Sequence, residues 1–329
     1  MYSCTEKTNK PGKHFREGLS LIEVMDMFST EEKAREWIES IVWPDGRKCP
    51  KCGSANTKEA KHKYMPYWCN GCRGFFSVKM GTPMANSKIP LRKWAVAIYL
   101  CMTSLKSVSS MKLHRDLNIT QKSAWFMIHR IREAWVCEGK NDPDFDGPVE
   151  VDETYMGGLE KNKHADKKLK AGRGTVGKTA VAGIKDRDTN QVRAKVVRSV
   201  DADTMEDFID EHVEIEAAVY TDESTVYQGL LHDRETVTHS VGEYVRAKAH
   251  TNGIESFWAM LKRAHDGTFH KMSPKHLNRY VQEFAGKHNI RNNDTIAQMR
   301  LVLRMMVGRR LPYRRLVRCN GLSSAARSE

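Results

Sequence analysis

Four of the chain's eight cysteines fall into two C-x-x-C pairs, Cys49 with Cys52 and Cys69 with Cys72. Their separation lies within the roughly 15–20 residues expected between the halves of a structural zinc site. Each knuckle presents two thiolates, and a short ribbon joining the pairs closes a tetrahedral S4 cage. Four thiolates leave no open coordination position, so the Zn2+ is expected to be structural rather than catalytic. Gly53 follows the first knuckle, where a tight turn favours positive φ. The second knuckle reads C-N-G-C-R, unlike the repeated C-P-x-C-G of an iron-binding pair, and a redox C-x-x-C would not come in two matched copies. Tyr64, Tyr67, Trp68, Phe75 and Phe76 are expected to form the small aromatic core of the ribbon. Cys4, Cys101, Cys137 and Cys319 have no partner at ligand spacing.

A second set of residues is acidic. Asp152 sits in the alternating run Pro148 to Tyr155, with Val149 and Val151 on the opposite face. Asp222 ends the apolar run Ala217 to Thr221, and Glu255 lies in a helical pattern from Thr251 to Arg263. Between them come two strand-like runs, Ala180 to Lys185 and Val192 to Val200, and a helix from Asp203 to Val213. In the last helix, Ile254, Phe257, Trp258 and Leu261 form a buried stripe, while Asn252, Glu255, Ala259 and Lys262 share a neighbouring face. Strand with Asp, two strands, helix, strand with Asp, helix with Glu is the element order of an RNase H-like α/β core. There, three carboxylates hold two Mg2+ or Mn2+ ions, hard cations that take oxygen ligands. Glu153, Asp201, Asp203 and Glu223 are read as surface or supporting acids.

The elements upstream supply a different pattern. Thr30 with Glu31 and Glu32 reads as a helix cap and acidic first turn, and that helix, ending before Pro44, is expected to pack on the ribbon. Pro90 opens a helix holding Trp94, Ile98, Cys101 and Met102. Ser107 to Arg115 reads as a short helix, Leu117 to Thr120 as a turn, and Thr120 as the cap of a longer helix through Trp135. This resembles a DNA-binding helix-turn-helix, with Gln121, Lys122 and Arg130 available to phosphates or base edges, although a plain three-helix module has the same pattern. The segment from Leu159 to Lys178 carries Lys163, Lys167, Lys168 and Arg173, which suit phosphate contacts that position DNA without reading it.

Composition agrees. The 329 residues predict roughly two to three domains. Lys and Arg number 54 against 41 Asp and Glu, a net charge of +13 that points to a polyanionic partner, nucleic acid first. No apolar run approaches the ~20 residues of a membrane span, and the polar N-terminus has no signal-peptide core, so the expected location is intracellular, with no membrane partner. The fold class expected is multidomain α/β: a helical segment at 18–46, a zinc ribbon at 47–80, a helical DNA-binding module at 88–140, an RNase H-like catalytic domain at 147–295 and a basic tail at 296–329.

With these residues in view, the chain resembles the zinc-ribbon DDE transposases of bacterial insertion sequences (insertion-sequence family fifteen-ninety-five, ISXO-two-like). The motif from Val151 to Gly158 resembles that family's first-Asp motif and Thr221-Asp222 its second. His250 to Trp258 with Leu261-Lys262-Arg263 resembles its signature around the third acid, and Lys275 to Tyr280, Glu283-Phe284 and Asn289 its C-terminal motif. The resemblance implies Asp152, Asp222 and Glu255 as metal ligands, Lys262 as an accessory basic residue, and Asn252, one turn from Glu255, as the alternative third position. It implies Mg2+-dependent cleavage at the element's terminal inverted repeats, strand transfer into target DNA, a homo-oligomer, and a place at the nucleoid of a bacterial cytoplasm. A non-catalytic zinc-ribbon DNA-binding regulator and an RNase H-like nuclease without strand transfer are the alternatives.

Overall fold

The computed structural model describes residues 18–136, 144–158, 165, 169, 174–237 and 250–322. Lys163, Lys167, Lys168 and Arg173, expected to touch DNA, lie outside the described residues. The chain divides into two compact units, Met1–Thr103 with Ile290–Arg309, and Ser104–Asn289 with Arg310–Glu329, so the division falls inside the segment 88–140.

The first unit opens with α1 (Leu21–Met27), where the Ser20 hydroxyl accepts from the Glu23 amide and the Glu23 carboxylate returns to the Ser20 amide. Helix α2 (Glu31–Val42) is capped by Thr30 and buries Ala34, Ile38 and Ile41. Three short antiparallel strands follow, β1 (Thr57–Glu59), β2 (Tyr67–Cys69) and β3 (Gly74–Phe76). Helix α2 does meet this ribbon: the Tyr67 hydroxyl donates to Glu39 at 2.6 Å, and Trp43 packs edge-on against Tyr67 and Phe76. The ribbon's core is smaller than expected. Tyr67 and Phe76 are buried, but Tyr64 and Phe75 are 61% and 40% exposed. Side chains alternate across a strand, so the pairing Tyr67↔Phe76 and Trp68↔Phe75 sends the two pairs to opposite faces. Helix α3 (Leu91–Thr103) begins after Pro90 and buries Trp94, Ile98, Cys101 and Met102; the Glu31 carboxylate accepts from its first two amides at 2.7 and 3.0 Å.

The second unit begins with α4 (Ser110–Leu117) and α5 (Gln121–Arg132). Ser109 caps the first, Asn118 stops it in a left-handed turn at φ 46, and Thr120 caps the second as its position suggested. Next comes a five-stranded sheet of β4 (Val149–Met156), β5 (Thr179–Asp186), β6 (Val192–Val196), β7 (Val219–Asp222) and β8 (Arg234–Val237), in the order β6-β5-β4-β7-β8. The hairpins β4–β5 and β5–β6 are antiparallel, whereas β7 runs parallel to β4 and β8 parallel to β7. Sequence reading did not foresee β8, whose four residues (Arg-Glu-Thr-Val) carry little apolar signal. Helix α6 (Ala202–Asp210) covers one face of the sheet, packing Met205, Phe208 and Ile209 on Val149, Val151, Ile184 and Val219. Helices α7 (Asn252–Ala264) and α8 (Pro274–Asn289) cover the other, packing Ile254, Phe257, Trp258, Leu277, Val281 and Phe284 on Met156 and Val181.

Helix α8 also protects an edge. β6 ends the sheet, and its outward backbone groups are taken by side chains: Asn289 by both its amide atoms on Val192 (2.8 and 3.0 Å), Asn278 on the Val196 amide and Gln282 on the Ala194 carbonyl. An unpaired strand edge invites further pairing, and these amides occupy it. On its other side α8 carries Glu283, wholly buried and paired with the equally buried Arg132 at 2.7 Å, with Ser107 as a further donor. Burial alone would raise the Glu283 carboxyl, yet Arg132, Lys287 and Ser107 hold it below the usual carboxylate range.

The region after residue 295, read as a basic tail, is folded through its described part. Helix α9 (Thr295–Met306) buries Met299, Val302, Leu303 and Met306 within the first unit, and the short α10 (Tyr313–Val317) belongs to the second. No helix among the described residues is long and apolar enough to cross a membrane.

Glu283→Gln leaves Arg132 charged and buried without its counter-ion, a loss of about 3–5 kcal/mol. Urea unfolding should register that loss, and the double replacement Arg132→Met/Glu283→Leu should recover most of it.

Candidate metal and nucleic-acid sites

The first site is the thiolate cluster. The Sγ atoms of Cys49, Cys52, Cys69 and Cys72 all lie within 4.8 Å of one another, with Cys49–Cys72 and Cys52–Cys69 at 3.6 Å. A tetrahedral zinc with bonds of ~2.3 Å has sulfur–sulfur edges of about 3.8 Å, so the cage fits this ion. Gly53 takes φ +72 after the first knuckle, and Arg73 adopts the same left-handed turn after the second without a glycine.

The second site is built on the face of the large sheet beneath α7. Along β4, alternation sends Val149 and Val151 towards α6 and leaves Glu150, Asp152 and Met156 on the α7 side. The parallel pairing Val149↔Val219 and Glu150↔Tyr220, carried two residues forward at the same offset, sets Asp152 beside Asp222 on adjacent strands, which lie about 4.8 Å apart. The Ser224 amide donates to Asp222 Oδ1 at 3.0 Å, and Arg234 of β8 donates to the Asp222 carbonyl, holding the strand end in place. Glu255 stands on the exposed side of α7, where the Thr251 hydroxyl donates to its carboxylate at 3.0 Å.

Burial pushes the Asp152 carboxyl up to about 7, and the neighbouring carboxylates of Glu153, Asp222 and Glu255 add to the rise. The three acids therefore share one electrostatic field. They do not form a compact one-ion cage: among the described residues, the four thiolates are the one set of three or more His, Cys, Asp or Glu ligand atoms within 4.8 Å of one another.

Two features that sequence reasoning missed seat α7 on this face. Asp152 pairs with Gly183 of β5. A Cβ at residue 183 would lie 2.5 Å from the Trp258 ring and 3.2 Å from Ile254, so glycine lets the indole lie against the sheet. From there the Trp258 Nε1–H donates to Asp152 Oδ2 at 3.1 Å. Second, Glu150, 2% exposed, accepts from the Ile254 amide at 2.9 Å at the start of α7, where the helix dipole favours an anion. Arg187 binds the same carboxylate at 3.0 Å while stacking on Tyr220, and His250 Nδ1 lies 3.1 Å from it. Lys185 donates to the Gly253 carbonyl, completing the clasp. The available signal was the even-numbered alternation that puts Glu150 on the same face as Asp152.

Two of the remaining acids have other partners. Glu153 points to the α6 side, where the Tyr227 hydroxyl donates to it at 2.7 Å, and Asp201 caps α6 through the Thr204 amide. Asn252 and Lys262 are both exposed on α7, at its first residue and two turns beyond Glu255 respectively. At the start of α5, Gln121 and Lys122 are exposed, and Gln121 also donates to Ser110. Arg130 differs from expectation: it is 8% exposed, its guanidinium lies 4.0 Å from the Phe126 ring centre, and it is withdrawn from the candidate DNA face.

Residues 144–289 match the family described as ISXO2-like transposase domain, and residues 29–74 match the transposase zinc-ribbon domain. A protein of Halobacterium salinarum described as an uncharacterized protein in transposable element ISH50 is 26% identical over 250 residues, covering 72% of this chain and 83% of that protein. Among solved structures, the cryoEM structure of the simian T-cell lymphotropic virus intasome in complex with PP2A regulatory subunit B56 gamma matches at 12% identity and TM-score 0.26, over 58% of this chain and 65% of that one. A likeness that slight carries no structural weight.

Two outcomes follow from the geometry. Gly183→Ala should cost about 1–3 kcal/mol in urea unfolding by forcing Trp258 off the sheet. Because the folded Asp152 carboxyl titrates near 7, above its unfolded value of 3.8, its contribution to stability is full at low pH and lost as pH rises through 7. Metal-free Asp152→Asn should therefore melt higher than the parent at pH 8, with the gap narrowing towards pH 5.

Proposed function

We propose that this chain, which matches a transposase zinc-ribbon domain and an ISXO2-like transposase domain, cuts the ends of an insertion sequence and transfers the freed strands into target DNA. The observation that carries this reading is Asp152 beside Asp222 on adjacent parallel strands, with Glu255 presented from the helix packed across the same face. The sheet order β6-β5-β4-β7-β8, with three antiparallel strands followed by two parallel ones, supports an RNase H-like core. The protein works on double-stranded DNA as at least a dimer, each copy engaging one terminal inverted repeat, in the cytoplasm at the nucleoid of a bacterial cell.

Asp152, Asp222 and Glu255 would hold two Mg2+ or Mn2+ ions. When bound, such a pair activates the attacking oxygen and stabilises the leaving oxygen of a phosphodiester. The protein's own contribution is placement. Asp152, with a carboxyl poised near neutrality, gives up its proton as cations bind, so cation affinity rises with pH through 7. Trp258 fixes one oxygen of Asp152 and leaves the other for a ligand. Thr251 holds Glu255 in a defined rotamer. Lys262, on the exposed side of α7, offers a charge to the substrate phosphate. Gln121 and Lys122, at the exposed start of α5, are suited to grip the DNA backbone, where helix amides also favour anions. Lys163, Lys167, Lys168 and Arg173 add phosphate contacts, and the +13 net charge supplies long-range attraction.

A strand-joining assay with labelled element ends, plasmid target and Mg2+ tests this reading. Asp152→Asn and Asp222→Asn should abolish cleavage and leave DNA binding within about twofold, because neither carboxylate attracts phosphate. Loss of joined product in Glu255→Gln with activity kept in Asn252→Ala would assign the third ligand to Glu255. Cleavage without joined product would make the protein a nuclease, and binding without cleavage in Mg2+ or Mn2+ would make it a regulator.

A further inference from the structure

The zinc ribbon's small sheet has two faces, and among the described residues only one joins a buried core. Tyr67 and Phe76 turn inward to Trp43, while the register Lys58↔Trp68↔Phe75 lays a lysine and two aromatic rings side by side across the other face. Trp68 meets Phe75 edge-on at 4.8 Å between ring centres. His62 extends the row, its ring 5.0 Å from Phe75. That imidazole is held in place, since its Nδ1 accepts from the amides of both Tyr64 and Met65 at 3.2 and 3.1 Å. Beside it Tyr64 is exposed, with the Lys63 ammonium 5.4 Å from its ring centre. Lys58, Lys61, Lys63 and Arg73 are all exposed, and Glu59 is the one acid between residues 47 and 74.

The exposed face of a half-buried sheet is ordinarily polar, so a row of aromatic rings there needs a partner with flat apolar faces. The surrounding lysines require that partner to be anionic. Nucleic-acid bases on a phosphate backbone meet both conditions, but in a duplex the base faces are stacked on one another and unavailable. We propose that the Trp68–Phe75–His62 face of the ribbon binds single-stranded DNA, stacking unpaired bases on the rings while Lys58, Lys61 and Lys63 contact the phosphates. Rings held by cross-strand pairing and by the His62 amide bonds form a ready-made stacking platform, the combination of aromatic rings and positive charge used by single-strand binders. The inference goes beyond the cutting site and needs neither its cations nor its carboxylates.

The test uses the full zinc-loaded chain without Mg2+, a labelled 12-residue oligothymidine and a blunt-ended duplex. The oligothymidine Kd should rise at least about tenfold in Trp68→Ala and in Phe75→Ala, and much less in Trp68→Phe, with duplex affinity and zinc content unchanged. Oligothymidine should also quench tryptophan fluorescence in the parent, and Trp68→Phe should remove most of that quenching. Alanine variants that keep zinc and bind oligothymidine like the parent would overturn the proposal. So would equal loss of both DNAs, undiminished quenching in Trp68→Phe, or binding of oligouridine without oligothymidine.

Discussion

Helix α7 carries Glu255, but it contributes to a site only if it lies flat on the sheet that carries Asp152 and Asp222. Close approach at that point is limited by β5, the strand next to β4. With any side chain at residue 183 the Trp258 indole could not occupy its place, and the helix would ride higher. Seating the helix also buries the Glu150 carboxylate, which costs several kcal/mol unless it is matched. The matching is thorough: a helix amide, the Arg187 guanidinium and His250 surround Glu150, and Arg187 is itself stacked on Tyr220. Shape at Gly183 and charge at Glu150 therefore fix the same helix from two sides of Asp152.

That arrangement buries Asp152 under α7 with other acids nearby, and burial first, then the carboxylates of Glu153, Asp222 and Glu255, raises its carboxyl. Asp152 accordingly resists ionisation where it stands. The thiolate cage of the ribbon solves a different problem. Its four ligands close completely around one ion, in a segment whose strands are three residues long and could bury little core of their own. The thiolate cluster thus serves folding, whereas the acids of the large sheet form no such closed cage among the described residues.

The motif around Lys275 to Asn289 resembles a family signature, yet its side chains serve the fold. Asn278, Gln282 and Asn289 cap the β6 edge, and Glu283 neutralises Arg132. Residues recurring in a family motif can hold the scaffold that a site needs without touching the site itself.

Much of this was legible in the chain alone. Cysteine spacing determined the zinc cage, because two knuckles at that separation have few other uses. Period-2 and period-3.6 patterns placed Asp152, Asp222 and Glu255 on strand, strand and helix, and the stripe Ile254-Phe257-Trp258-Leu261 identified the face of α7 that would be buried. Local rules also found the Thr30 and Thr120 caps. What only tertiary structure decided were the matters set by neighbours distant in sequence. Arg130 looked available until Phe126 and the Leu311 carbonyl claimed it. Five ribbon aromatics looked like core until strand register turned Trp68 and Phe75 to the face opposite Tyr67 and Phe76. The arginines after residue 295 masked an amphipathic stripe of Met299, Val302, Leu303 and Met306. Periodicity says which residues share a face, whereas the neighbour that covers a face is chosen by packing across the whole chain.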